Sequence, residues 1–262
     1  PNDNSYEPSA FNLPNGTTNV YITMVTNGAW KIWAEDQDGT AIAVSTTANI
    51  TVGAGAFVSL NLLVPDRVQT PGVGNTGTVQ PQTAGVPFTV TVNARDANYN
   101  TKTSITDTVN IVTDDLWDTE PANLALVSGT TQFVLDLRTA KVVSSACATD
   151  VSDFSKGSST AAVTVGPRKD ASYIYLQLVM PGETAVGGKG VAPSGGKSGS
   201  PSERTAGVQF TMTVNATDRY WNIFTADPGL GAGWPVGAKI FTTDNYDTEV
   251  SSKALTNGTT VF

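Results

Sequence analysis

Residues 83–100 read TAGVPFTVTVNARDANYN, and residues 205–222 read TAGVQFTMTVNATDRYWN. Most positions are identical, so the chain carries an internal repeat, a pattern that outranks any local reading. Within each copy apolar and polar residues alternate. Phe88, Val90 and Val92 share one face, as do Phe210, Met212 and Val214. A period of two in Thr- and Val-rich runs marks a half-buried strand. Each copy then ends in a polar stretch, Asp96-Ala-Asn-Tyr-Asn100 or Asp218-Arg-Tyr-Trp-Asn222, which reads as a loop.

The repeat extends both ways. Upstream, Leu62-Leu63-Val64-Pro65 matches Leu178-Val179-Met180-Pro181; downstream, Asp118-Thr119-Glu120 matches Asp247-Thr248-Glu249. The spacing between matched residues widens along the chain, which places insertions around Gly187–Ser202 and Ala226–Val236. An earlier copy supplies only its back half. Glu7-Pro8 and Asn15-Gly16-Thr17-Thr18 match Glu120-Pro121 and Ser128-Gly129-Thr130-Thr131, and Thr46–Gly53 matches Ser159–Gly166. Phe262 is the counterpart of Phe133. The expected organisation is the C-terminal part of one unit (1–56), a complete unit (57–171) and the N-terminal part of a third (172–262). On this reading the chain is a piece of a longer polypeptide whose export signal and anchor lie elsewhere.

In the complete unit strands are predicted near 57–64, 86–94, 107–113, 122–126, 130–137, 141–149 and 160–166. About seven short strands per unit is the count of an immunoglobulin-like sandwich. The expected fold is therefore all-β, with tandem immunoglobulin-like β-sandwich domains. Trp30, Ile32 and Ala34 alternate with Lys31 and Trp33 in the same manner, and no segment keeps a helical apolar period. Cys147 falls in the sixth strand and is expected to be small buried filler.

Composition narrows the function classes. The 262 residues include 15 Lys+Arg, 23 Asp+Glu, one Cys and no His, for a net charge of −8. Without His there is no Ser-His-Asp or Cys-His nucleophile system and no His-containing zinc site. One Cys cannot close an intramolecular disulfide. An acidic chain is a poor match for nucleic acid or an anionic membrane, and no apolar run approaches the ~20 residues of a spanning helix. Charged residues make up 15%, below the usual ~25%. Polarity comes instead from Thr, Ser, Asn and Gly, the composition of secreted, strand-rich proteins. An enzyme is not expected.

The run LLVP…TAGVPFTVTVNARD…DTVNIVTDD…TEPANLALVSGTTQFVLDLRTA…ATD…TAAVTVG resembles the bacterial Ig-like repeats of invasin-type surface proteins, over the whole chain. The resemblance implies tandem sandwiches in an exported adhesin, stalk or filament on the cell surface, with no catalytic residues to carry over. Its implied partners are neighbouring copies of itself or adjacent repeats in a fibre, and a surface ligand. The last copy departs from the pattern in its inserted loops and in Val250 replacing Pro121.

Candidate sites are sparse. Acids cluster in Asp36-Gln37-Asp38-Gly39, Asp114-Asp115-Leu116-Trp117-Asp118, Asp150-Val151-Ser152-Asp153 and Asp244-Asn245-Tyr246-Asp247. Oxygen ligands so spaced can hold calcium. In an immunoglobulin-like topology Asp114, Asp115 and Asp118 should approach Asp218 at the head of the next unit, and Asp3 should approach Asp96 and Asp150. A cation there would bridge domains. The other reading is turn acids that end strands. The recurrent Asp96–Asn100 and Asp218–Asn222 loops are either ligand-facing, with exposed aromatics, or structural, pairing with local backbone. A binding-module alternative has Tyr220, Trp221 and Trp234 stacking on a glycan or host protein through the inserted loops. Sequons at Asn15, Asn49, Asn215 and Asn257 are expected to be mostly bare. Lys31 and Lys141 are the candidates for an isopeptide cross-link, but they do not recur in register. The stretch Gly190–Ser198 approximates a phosphate loop, with its Lys displaced and no helix to follow, and reads as a flexible loop.

Overall fold

The computed structural model describes residues 9–37, 42–170, 172, 174–229, 231, 234 and 237–262. Among them the chain is nearly all-β, built from multiple sheets, with a short 3-10 turn at Pro14–Gly16. The first segment holds two small ribbons: β1 (Gly28–Trp30) pairs with β4 (Ile50–Val52), and β2 (Trp33–Ala34) with β3 (Ser45–Thr46).

The middle of the chain forms the main core. Its strands are β5 (Ser59–Leu63), β6 (Val68–Thr70), β7 (Gly74–Thr76), β8 (Gln82–Thr83), β9 (Phe88–Arg95), β10 (Thr108–Thr113), β11 (Leu124–Ala125), β12 (Thr130–Leu135), β13 (Lys141–Asp150) and β14 (Ser159–Gly166). One sheet runs β12-β9-β5, the other β11-β10-β13-β14-β8, with β8 parallel to β14 and the remaining pairs antiparallel. The alternation read in the sequence decides which side meets the core. Leu60, Leu62, Val90, Val92, Phe133 and Leu135 from the first sheet pack against Val109, Ile111, Ala146, Ala148, Val163 and Val165 from the second. This is a sandwich-like, two-sheet arrangement in which burial of aliphatic side chains, at ~25 cal/mol per Å², supplies the main driving force.

The last segment contains β15 (Tyr175–Val179), β16 (Glu183–Ala185), β17 (Lys197–Gly199), β18 (Thr213–Thr217), β19 (Gly237–Ala238), β20 (Lys253–Ala254) and β21 (Thr259–Val261). Its sheet β15-β18-β21 has the pairings of β5-β9-β12, and β19–β20 has those of β10–β11. Its core is smaller, centred on Val214, Ala216, Ala238 and Leu255.

All seven strands predicted for the middle unit are present. The hairpin β6–β7 and the short β8 were not predicted. Cys147 is a correction. It is partly exposed rather than buried, because it alternates with Ala146 and Ala148, which take the core side of β13.

Candidate functional site

The recurrent polar loops prove to be joints between successive segments. In the first, Asp96 Oδ1 accepts the N–H groups of Asn98 at 2.8 Å and Asn100 at 2.9 Å. Its Oδ2 accepts the Asn100 side-chain amide at 2.8 Å and the N–H of Gly55, in the link before β5, at 2.7 Å. Asn100, so oriented, reaches out of its own segment. Its Nδ2 donates to Val25 O at 2.9 Å, and its Oδ1 accepts Asn27 N–H at 2.8 Å.

The second joint repeats these bonds. Asp218 Oδ1 accepts from the N–H groups of Tyr220 at 2.8 Å and Asn222 at 2.9 Å. Its Oδ2 accepts from the N–H of Arg168, in the link before β15, at 2.8 Å, and from the Asn222 amide at 3.0 Å. Asn222 Nδ2 donates to Arg138 O at 2.8 Å, and its Oδ1 accepts Ala140 N–H at 2.7 Å. Arg138, Ala140 and Arg168 thus do for this joint what Val25, Asn27 and Gly55 do for the first. Both Asp and both Asn side chains are buried. A buried amide must use its donors and acceptor together, and this geometry does so.

The receiving loop of the second joint is shaped by Asp115. Its Oδ2 accepts from the N–H groups of Arg138 at 2.6 Å and Thr139 at 2.8 Å, and its Oδ1 accepts Thr139 Oγ1–H at 2.7 Å. The inserted stretch after β16 closes over the same joint. Gly188 N–H donates to Tyr220 O at 2.8 Å, and Trp221 Nε1–H to Ser194 O at 2.9 Å. Gly85, at φ +65°, lets the Tyr220 ring lie against the backbone; a Cβ there would sit 1.9 Å from the ring. The alternative reading, with exposed stacking aromatics, does not hold for two of its three residues. Tyr220 and Trp221 are each only 7% exposed, consumed by the joint. Trp234 packs, partly buried, against the small core of the last segment.

The two joint carboxylates differ in acidity. For Asp96, burial works to raise the pKa, but the bonds from Asn100, Gly55 and Asn98 outweigh it and hold the carboxyl below its ordinary value. For Asp218, beneath the inserted loop, burial prevails over the bonds from Asn222, Arg168 and Tyr220 and pushes the carboxyl up.

The remaining acids have their own partners. Burial favours a raised Asp114, yet Lys141, which forms an ion pair with it, and Ser145 N–H hold it low. Asp118 accepts Thr113 Oγ1–H at 2.7 Å, and burial, with the charges of Glu120 and Asp115 nearby, pushes it up to about 6. Asp150 Oδ1 accepts the N–H groups of Ser152 at 2.9 Å and Asp153 at 3.0 Å, while its Oδ2 is buried without a donor. Neighbouring Asp107 is raised by burial and by the Asp150 carboxylate.

The clasp of the second joint is made by Asn222 with the backbone of Arg138 and Ala140, and Asp115 touches it through the Arg138–Thr139 turn that it holds. Both oxygens of Asp96, Asp115 and Asp218 are engaged by N–H or O–H donors, which a cation would have to displace. Among the described residues no three acidic, Cys or His side chains gather in a metal-holding group. Asp3, Asp38 and Gly39 lie outside the described residues. Asn215 is 3% exposed and bonded to Gln177 and Thr259, so the folded chain offers no room for a glycan there. Lys141 is half exposed in its ion pair, away from the core that an isopeptide bond needs. Lys197, in the stretch resembling a phosphate loop, pairs with Glu183 at 2.8 Å.

The joint could have been suspected from the recurrence of Asp and Asn four residues apart. Their partners Val25, Asn27, Arg138 and Ala140 could not, because they contribute only backbone groups. No protein-family model matches the chain, and no curated protein matches it at a significant level. Among the described residues no helix is long and apolar enough to cross a membrane.

Proposed function

We propose that the chain is a structural element of an extracellular, cell-surface protein. In this reading tandem immunoglobulin-like β-sandwiches, similar to bacterial invasin-type repeats, are held end to end as a stalk or filament. The observation that carries it is the Asp–Asn clasp, which recurs with equivalent donors and acceptors at both joints. A loop meant to bind a variable ligand has no need to spend both of its polar side chains on its neighbour's backbone. Arrays of this kind depend on nearest-neighbour contacts, so a repeated joint sets the stiffness of the whole. The adhesive alternative, in which the inserted loops grip a glycan or protein, loses support because Tyr220 and Trp221 are buried.

Small-angle X-ray scattering on the wild type, Asn100→Ala and Asn222→Ala tests the reading. Each truncation strands a backbone donor and acceptor, at a cost of about 1–3 kcal/mol. The expected result is a narrow distance distribution for the wild type and a broadened one for each variant, with the circular dichroism of the sheets retained. Identical distributions for all three proteins would overturn the proposal.

A further inference from the structure

A ladder of side-chain amides crosses the outer face of the three-stranded sheet, and it recurs. In the middle segment Thr130 Oγ1–H on β12 donates to Asn93 Oδ1 on β9, and Asn93 Nδ2 donates to Gln69 Oε1 at 3.4 Å. Asn61 Nδ2 on β5 donates to the same Gln69 oxygen at 2.7 Å. In the last segment Thr259 Oγ1–H donates to Asn215 Oδ1 at 2.7 Å, and Asn215 Nδ2 to Gln177 Oε1 at 3.0 Å. The strand registers match: Asn61 and Thr130 flank Asn93 as Gln177 and Thr259 flank Asn215.

Each ladder ends on a Gln whose amide nitrogen leaves the sheet. Gln69 Nε2 donates to Tyr99 O at 2.9 Å, inside the Asp96–Asn100 loop, and to Thr101 Oγ1 at 3.0 Å. Gln177 Nε2 donates to Gly196 O at 2.6 Å, in the stretch between β16 and β17. Gly196, at φ +74°, lies against the Trp221 indole, where a Cβ would run into the ring. The same stretch is tied to the Asp218–Asn222 loop by Gly188 N–H on Tyr220 O at 2.8 Å and Ala192 N–H on Arg219 O at 2.9 Å. The β6–β7 hairpin makes the matching bond, Gly72 N–H on Asn98 O at 2.7 Å. Asn98 holds the place of Tyr220 in the repeat. The two connections differ in length and sequence, yet both are fastened to the sheet at one end and to a joint loop at the other.

We propose that these connections are straps that set the stiffness of the joints, with Gln69 and Gln177 as positioning residues. The straps hold the Asp96–Asn100 and Asp218–Asn222 loops so that Asn100 and Asn222 stay aimed at the neighbouring segment. The hydrogen bonds of both Gln side chains lie within their own segments, so they act on the neighbour only through the loop. The inference rests on reading the Asp–Asn clasps as the joints of a stalk.

Amides, rather than apolar burial, attach the short strap: its Val68 and Val73 are exposed at 57% and 60%. A buried polar network rigidifies what it holds only while every member is satisfied, so one lost amide loosens the whole attachment. The long strap also reaches the neighbour directly. Gly188 lies against Thr139 and Trp117 of the receiving loops, and the Lys189 ammonium sits 5.7 Å from the Trp117 ring centroid.

Hydrogen exchange on the 262-residue chain tests the proposal at Asn27 and Ala140. Each of these N–H groups donates to a clasp Asn across a joint, so its protection reads how much of the time that joint is closed. Gln69→Met and Gln177→Met keep a side chain of similar length and remove the amide. Gln69→Met should lower protection at Asn27 roughly tenfold, the worth of about one hydrogen bond, and leave Ala140 unchanged; Gln177→Met should do the reverse. Amides paired between β10 and β13 should keep their wild-type protection in both variants. A side chain that merely fills space would be replaced by Met without effect, and one that merely supports the fold would lower the two joints and the core together; either result would overturn the proposal. Should a Met variant melt early, Gln→Glu at the same position keeps the acceptor for the β9 or β18 Asn and loses only the donor to the loop, with the same expected outcome. Scattering separates this inference from the reading beneath it. If Asn100→Ala and Asn222→Ala broaden the distance distribution while the Gln variants keep both reporter amides protected, the straps fail and the stalk stands. If the Asn variants do not broaden it, the stalk fails, and the two reporter amides still decide the straps.

Discussion

At the scale of single residues the joints are a matter of hydrogen-bond supply. Asp96 and Asp218 orient an Asn amide and accept the N–H of the link, so one carboxylate serves both a local turn and a contact between segments. Asp118 is a liability in the same neighbourhood. Its carboxyl is raised to about 6 by burial first, then by Glu120 and Asp115. A raised carboxyl binds its proton more tightly in the folded chain, so its favourable contribution is complete below the unfolded value near 4 and is lost as pH rises through about 6. Asp118→Asn keeps an acceptor for Thr113 and removes the charge. It should raise the thermal midpoint at pH 7 to 8 by a few degrees, with the gain shrinking toward zero near pH 4. A gain equal at all pH values would show that charge is not the cause.

At the scale of elements, the alternation within Phe88–Ala94 was enough to place the core face of β9, because a strand has only two faces. Short elements were less legible. The hairpin β6–β7 carries no apolar alternation; Gln69 and Asn75 instead bond the Asn61 side-chain amide, at 2.7 and 2.8 Å, on the outer face of β5. Such polar pairing leaves no periodic trace. The joints were half legible: the motif recurs, but its partners are peptide groups that any residue would supply. Turns were the clearest local signal. Asn257-Gly258 and Ser128-Gly129 both place two successive residues at positive φ, at 49° and 77° and at 51° and 75°, as a two-residue hairpin demands. A Cβ on Gly129 would meet Lys102 O at 2.3 Å. Gly129→Ala should therefore lose more than about 1 kcal/mol in urea unfolding. Ser128→Asn should gain a few tenths, about 0.5 kcal/mol at most, since Asn tolerates left-handed backbone better than Ser. Equal midpoints for the two variants would contradict the turn argument.

At the scale of the whole molecule, identical clasps need not respond alike to their surroundings. The second joint lies under the long inserted loop after β16, whereas the first is met by the shorter β6–β7 hairpin, through Gly72 N–H on Asn98 O at 2.7 Å. This deeper burial explains why Asp218 is pushed up while Asp96 is held low. The signs are opposite. The lowered Asp96 supports folding fully above the unfolded value of 3.8 and loses that support as pH falls below it. The raised Asp218 contributes fully below 3.8 and loses its contribution as pH rises through its folded value, so acidification from neutral favours the second joint. Acid should therefore loosen the array at one joint first. The amides that report this are Gly55 N–H, held by Asp96, and Arg168 N–H, held by Asp218. Hydrogen-exchange protection, corrected for the intrinsic pH dependence of exchange, should fall at Gly55 between pH 4 and pH 2.5 while Arg168 keeps more of its neutral-pH protection. Parallel loss at both amides would mean that the inserted loop does not set the acidity of the joint it covers.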